Sequence, residues 1–232
     1  MRVLIYDRSM KQLADSVWHL DTVPMPNAVN AFVIGDVLVD AGGRRSARKI
    51  LRQLDGHEVS AHAITHAHPD HQGASDELCT RLQVPYMVGE RDVPAAMDSS
   101  LIRKRQPDHP VARFYDSFFT GPGRTVDRVL RAGDEVAGFE VIDVPGHSAG
   151  HIAFWRAADG VLVAGDVVNN MDIWTGIPGL HEPKPYLTPD PVENRRSIRK
   201  IADLEPKLLL VGHGPPFRNP KRLSEFAAKL GV

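Results

Sequence analysis

Thr65-His66-Ala67-His68-Pro69-Asp70-His71 sets three imidazoles and a carboxylate within six residues. The stretch closes an apolar run, Ala61–Thr65, that reads as a buried strand. At this chain's own His and Asp frequencies, His-x-His-x-Asp-His arises by chance about once in 500 such chains. Packing four polar, partly titrating groups together costs free energy unless something satisfies them. A divalent cation does so, taking neutral His nitrogens and a carboxylate at roughly 2.0–2.2 Å. The chain has 11 His and one Cys. It therefore has no internal disulfide and no multi-thiolate metal site, so its ligands must be imidazole and carboxylate.

Further candidates stand in the same kind of place. His147 follows the run Phe139–Val144 through Pro145-Gly146. Asp166 follows Val161–Ala164 and Gly165, and His213 follows Leu208–Val211 between Gly212 and Gly214. Residues just past strand C-termini can be gathered by one sheet edge into one cleft. The flanking glycines permit sharp turns and close backbone approach.

Outward from these motifs, short Val- and Ile-rich runs (Val29–Ile34, Val37–Val39, Pro85–Val88, Ile152–Trp155) read as strands. Helical patterns lie between them at Ser46–Leu54, Ser75–Leu82, Pro191–Leu204 and Lys221–Leu230. This alternation predicts a layered α/β (α+β) domain over residues 1–232. The early strands follow one another too closely for a doubly wound parallel sheet. Segments 98–125 and 167–191 read as irregular, either pocket-lining loops or simple cover for the core. No internal repeat is present.

In order, His66-x-His68-x-Asp70-His71, Gly146-His147, Gly165-Asp166 and Gly212-His213-Gly214 resemble the metallo-β-lactamase superfamily, over about Phe32 to Gly214. The resemblance implies a four-layer αββα sandwich with a two-metal site on one edge. It assigns His66, His68, His147 and a bridging Asp166 to the first metal. It assigns Asp70, His71, His213 and the same Asp166 to the second. Val39-Asp40-Ala41-Gly42 resembles the family's strand-end Asp motif, which makes Asp40 a residue that orients ligand imidazoles from behind. The expected cofactors are two divalent ions, zinc first, with iron or manganese compatible. Two cations about 3.5–4 Å apart can share a hydroxide and polarise a substrate oxygen. Asp70 is expected to orient that nucleophile and take its proton.

His151, four residues after His147, reads as a support or pocket-wall residue, or else a core histidine. His62 would share a strand face with His66 but sits about 13 Å back, so it reads as structural, as do His19, His57, His109 and His181. Cys79, inside a predicted helix, reads as a small buried hydrophobe. Arg44, Arg45, Arg48, Lys49 and Arg52 read as a solvated helix face. Arg103-Lys104-Arg105 reads either as a solvated run or as a contact for an anionic substrate group. Aromatics at 114–119 and apolar residues at 171–177 suit either a pocket or the core. Trp174, Tyr186 and Asn169 are candidate substrate contacts.

Lys+Arg is 28 against Asp+Glu 29, which lacks the basic excess of a nucleic-acid binder. No apolar run reaches 18 residues, the length of a membrane span. The start Met1–Tyr6 is too short in apolar residues for a signal core. A cytoplasmic protein with a small-molecule substrate is expected.

The resemblance leaves the substrate open. The bridging Asp166 resembles thioesterase and lactonase members more than antibiotic-hydrolysing ones. A glutathione-thioester hydrolase is disfavoured because only 19 residues follow His213, too few for that group's helical extension. Lactonase relatives carry a Tyr three residues after the bridging Asp. Here that position is Asn169, with Tyr186 as a candidate replacement. The expected reaction is cleavage of a small ester, thioester or lactone by a metal-bridging hydroxide. The alternatives are a mononuclear-iron persulfide dioxygenase and a β-lactamase-like amide hydrolase.

Overall fold

The computed structural model describes residues 10–231, so the reading of Met1–Tyr6 falls outside the described residues. Seven strands form the first sheet, in sequential order: β1 (Lys11–Ala14), β2 (Val17–Asp21), β3 (Asn30–Ile34), β4 (Val37–Val39), β5 (Ala61–Ala63), β6 (Tyr86–Gly89) and β7 (Arg128–Leu130). Strands β1 to β4 pair antiparallel and β4 to β7 pair parallel. The second sheet draws on β8 (Glu135–Val136), β9 (Phe139–Asp143), β10 (Ile152–Arg156), β11 (Val161–Gly165) and β14 (Leu208–Val211), in the order β14-β11-β10-β9-β8. A hairpin of β12 (Asn169–Met171) and β13 (Pro178–His181) stands apart.

The central strands are nearly all apolar because both faces of each sheet are covered there. In β3, Phe32 and Ile34 face the inter-sheet core while Ala31 and Val33 face outward. In β14, Leu208 and Leu210 point inward and Leu209 and Val211 outward. Helices α1 (Ala47–Gln53) and α3 (Ser75–Leu82) cover the first sheet through Ile50 and Leu78. Helices α7 (Pro191–Asp203) and α8 (Pro220–Lys229) cover the second through Ile198, Ile201 and Leu223. The layering is αββα, as the motifs implied.

Residues 98–125 are not an irregular loop. With the turn before them they hold α4 (Val93–Met97), α5 (Ser100–Arg105) and α6 (Pro110–Phe119). These helices are short and broken by Pro94, Pro107 and Pro110, which hides their period from a sequence reading. Segment 167–191 contains the β12–β13 hairpin. Its strands are three and four residues long, too short for a clear alternation.

His62 is structural. It is fully buried in β5, with Nδ1 donating to Leu38 O (3.0 Å) and Nε2 accepting from Ser75 Oγ (2.8 Å). Burial pushes its pKa down to about 4, so it is neutral in the native state. The unfolded chain takes up a proton near 6.5. Its stabilising contribution is therefore whole above about pH 6.5 and gone below about pH 4, a loss of about 3 kcal/mol. Denaturant unfolding of metal-free protein is expected to show a shallower pH slope in this window for His62→Gln than for the native chain. Equal slopes would refute the assignment. Cys79 is likewise buried, in a cluster with Ile64 and Val88.

Candidate metal centre

Five strand ends converge on one edge. Strands β4 and β5 run parallel in one sheet; in the other, β9 and β11 are both antiparallel to β10, and β14 is parallel to β11. Their C-termini lead into Asp40, the His66–His71 turn, His147, Asp166 and His213. Backbone bonds tie the two sheets together there: Asn30 N donates to Gly212 O (2.9 Å) and Ile152 N to Thr65 O (2.9 Å).

Pro69 arranges the first motif. A residue before proline is driven to extended backbone, and His68 has φ −99° and ψ 157°. The chain then enters the short helix α2 (Pro69–Gln72). His68 thus leaves in one direction, and Asp70 and His71 in another. Ligand atoms of His66, His68 and His147 lie within 4.8 Å of one another, as do those of Asp70, His71 and His213. Asp166 lies between the triads. Its Oδ2 is 2.9 Å from His213 Nε2 and 3.6 Å from His147 Nε2, and its Oδ1 is 3.4 Å from His71 Nε2.

These residues fit a metal on their own chemistry. His66, His71, His147 and Asp166 each keep a buried atom with no hydrogen-bond partner among the described residues, and for the histidines it is Nε2. The opposite nitrogens are anchored. His71 Nδ1 donates to Asp40 Oδ2 (2.9 Å), His66 Nδ1 to Thr65 Oγ1 (3.0 Å), His147 Nδ1 to Thr188 Oγ1 (3.1 Å) and His213 Nδ1 to Ala28 O. Each anchor turns Nε2 into the cluster. Gly212 makes the close approach possible, since a Cβ there would fall 1.9 Å from Asp166 Oδ1 and 2.6 Å from His71 Cε1.

Electrostatics divide the cluster. Burial first, then neighbouring imidazoles, hold His66 and His147 well below the usual imidazole range, and burial takes His68 down to about 4. These three are neutral, as ligands must be. Burial would raise Asp70 and Asp166, but His71 and His213 outweigh it and keep both ionised. Burial would likewise lower His71 and His213. The facing carboxylates outweigh it, lifting His71 well above its usual value and His213 to about 10. Without a cation this half of the site keeps its protons, so metal binding releases them.

Asp40 sits at φ 64° and accepts from Thr65 N (2.7 Å), Thr65 Oγ1 and His71 Nδ1. It thus steadies one imidazole of each triad. Asn tolerates that backbone conformation, so Asp40→Asn tests the carboxylate alone. Metal affinity is expected to fall about 10–100-fold in competition with a chromogenic chelator. Unchanged affinity would remove Asp40 from the site.

His151 is fully buried, its ring 4.5 Å from that of His66 and 5.9 Å from that of His147. Asn169 lines the metal cleft, with Oδ1 buried and unpartnered among the described residues. Trp174 and Tyr186 are not among the cleft-lining residues. Trp174 is largely exposed and donates through Nε1 to the Tyr186 hydroxyl, and Tyr186 stacks on His109. The tyrosine of the cleft is Tyr115 on α6, whose hydroxyl donates to Asp70 Oδ2 (2.8 Å). Its only sequence signal was membership of the aromatic run 114–119. Thr65 and Thr188, which seat His66 and His147, gave none.

A sequence profile described as the Metallo-beta-lactamase superfamily matches residues 24–213. The chain belongs to this superfamily. Its relatives within it include the Probable metallo-hydrolase YflN of Bacillus subtilis (strain 168), 32% identical over 216 residues, covering 84% of this chain and 79% of the relative. A hydroxyacylglutathione hydrolase of Bdellovibrio bacteriovorus is 26% identical over 204 residues, 83% of this chain and 65% of that protein. The solved structure of TTHA1623 in a di-iron-bound form matches with TM-score 0.63 and 28% identity, over 86% of this chain and 93% of the other. Membership places the chain in a superfamily of metallo-hydrolases, and its His/Asp clusters suit divalent cations. Among the described residues no helix is long and apolar enough to cross a membrane.

Proposed function

We propose that this protein is a dinuclear hydrolase of small esters, thioesters or lactones. The observation that carries the reading is the pair of ligand triads with Asp166 between them. His66, His68 and His147 would hold one ion, Asp70, His71 and His213 the other, and Asp166 would reach both. When bound, two divalent cations supply Lewis-acid polarisation of a carbonyl and bring water's pKa toward ~7.

The chain supplies the rest. Asp70, ionised and steadied by Tyr115, is placed to orient the attacking water and accept its proton at Oδ2. Tyr115, Ile173 and Leu187 wall the cleft against solvent. No Ser or Cys nucleophile is needed, and the single cysteine is buried elsewhere. Zinc suits this imidazole and carboxylate set, and iron or manganese is compatible with it. The hydroxyacylglutathione hydrolase relative supports the thioester option, and the di-iron form of TTHA1623 supports two-metal occupancy. The substrate is a small molecule, and neither nucleic acid nor a membrane enters the reading.

The test is metal content and a hydrolysis panel of esters, thioesters, lactones and β-lactams on the same purified sample. Two metals per chain with ester, thioester or lactone turnover is the expected result. One iron per chain with sulfide-dependent oxygen uptake would sink the reading, and turnover confined to β-lactams would move it to amide hydrolysis.

A further inference from the structure

A second, larger cavity of about 580 Å³ lies beside the metal cleft, and His68 and Gln106 line both. Its volume falls within the roughly 300–1,000 Å³ of small-molecule sites. Ala95, Ile102, Pro145 and Ala149 give it apolar walls. Four charged groups besides the buried Asp92 line it: Arg91, Arg105, Asp190 and Glu193. The acids are already engaged. Asp190 caps α7 by accepting from Glu193 N (2.9 Å), and Glu193 pairs with Arg196 (2.7 Å). Asp92 accepts from Ala67 N (2.9 Å), Ser148 Oγ (2.6 Å) and Gly150 N (3.0 Å).

The cations are less engaged. Arg105 donates one N–H to Arg91 O (2.9 Å) and stands 3.8 Å from Asp92, while the Arg91 side chain makes no ion pair among the described residues. Of the Arg103-Lys104-Arg105 run, Arg103 is taken up by Asp108 and Asp116, and Arg105 lines the cavity beside Asp92. Gln106 Oε1 is buried with no partner among the described residues, on the residue that separates the two cavities. A buried acceptor without a donor costs free energy until a ligand supplies one.

We propose that this cavity takes the non-reacting arm of the substrate, a short apolar chain ending in an anion. Arg105 and Arg91 bind the anion, and Gln106 accepts an N–H or O–H donor on the arm near the scissile bond. The inference rests on the hydrolase reading and adds the substrate class: esters or thioesters whose arm ends in a carboxylate or phosphate.

The test uses thioesters identical except for the arm's end, which is carboxylate, phosphate, neutral amide or trimethylammonium. The matching non-cleavable thioethers are titrated by calorimetry. The native enzyme is expected to favour an anionic end over the amide by 10-fold or more in kcat/KM. Arg105→Met is expected to bring that ratio down to near one, mainly through KM, with metal content intact. Lys104→Met, a neighbouring exposed cation, is expected to leave the ratio as it is. The better of carboxylate and phosphate identifies the source of the anion. Thioether binding that prefers anions and is lost in Arg105→Met, without turnover of any thioester or of the matching esters and lactones, would uphold the cavity assignment and overturn the hydrolase reading. Turnover without end-group preference, or a preference for trimethylammonium, would overturn the cavity assignment alone.

Discussion

Asp166→Ala is expected to release metal from both halves of the site and to lower turnover by about 10³-fold or more. Asp166 faces ligands of both triads, with oxygens 2.9 Å from His213, 3.4 Å from His71 and 3.6 Å from His147. Its charge also helps hold His71 and His213 far above the usual imidazole range. Removing the carboxylate takes away a donor and part of the negative charge that offsets two cations. Metal analysis with activity on the same sample decides the matter. Full metal content in the variant would refute the bridging role.

Gly212→Ala is expected to do almost as much with one methyl group. The new Cβ would stand 1.9 Å from Asp166 Oδ1 and 2.6 Å from His71 Cε1, well inside contact distance. The atoms it meets belong to site side chains rather than to the sheet core. The fold should persist while Asp166 and His71 are pushed off their positions. We expect metal affinity to fall at least about 100-fold with far-UV circular dichroism unchanged. A variant that keeps native metal affinity would show that Asp166 does not hold this position when metal is bound. Gly214 makes a contrast, since its φ of 109° is a backbone requirement and its neighbours are the Asn170 and Met171 backbone. The sequence showed two glycines around His213; the structure gives Gly212 to an approach by site side chains and Gly214 to a turn packed on backbone.

The layered α/β class and the candidate ligand residues were legible in the sequence, and the family resemblance supplied the αββα order. Continuous apolar runs mark strands covered on both faces, and eight of these runs became strands, two with the expected bounds and six with ends shifted by one or two residues. A candidate metal site is legible because few residue types can ligate a metal and four of the candidates crowd into one turn. Segments 98–125 and 167–191 were opaque. Helices of five to ten residues and strands of three or four carry too few periods to register. Tyr186, a candidate from its loop position, proved to be bonded to Trp174, while Tyr115 from α6 reaches Asp70.

By itself, then, the sequence determined the donor chemistry: imidazole and carboxylate, no thiolate, placed at strand ends. A ligand set is a matter of residue type and short spacing, both of which are local. Tertiary structure alone decided which ligands meet. It also decided which groups seat them (Thr65, Asp40, Thr188), which tyrosine enters the cleft, and that Gln106 divides two cavities. Those contacts join residues far apart in the chain, 45 positions for Tyr115 and Asp70 and more than 100 for Asp70 and His213. No local pattern encodes a distance that arises only when two sheets pack and bring their edges together.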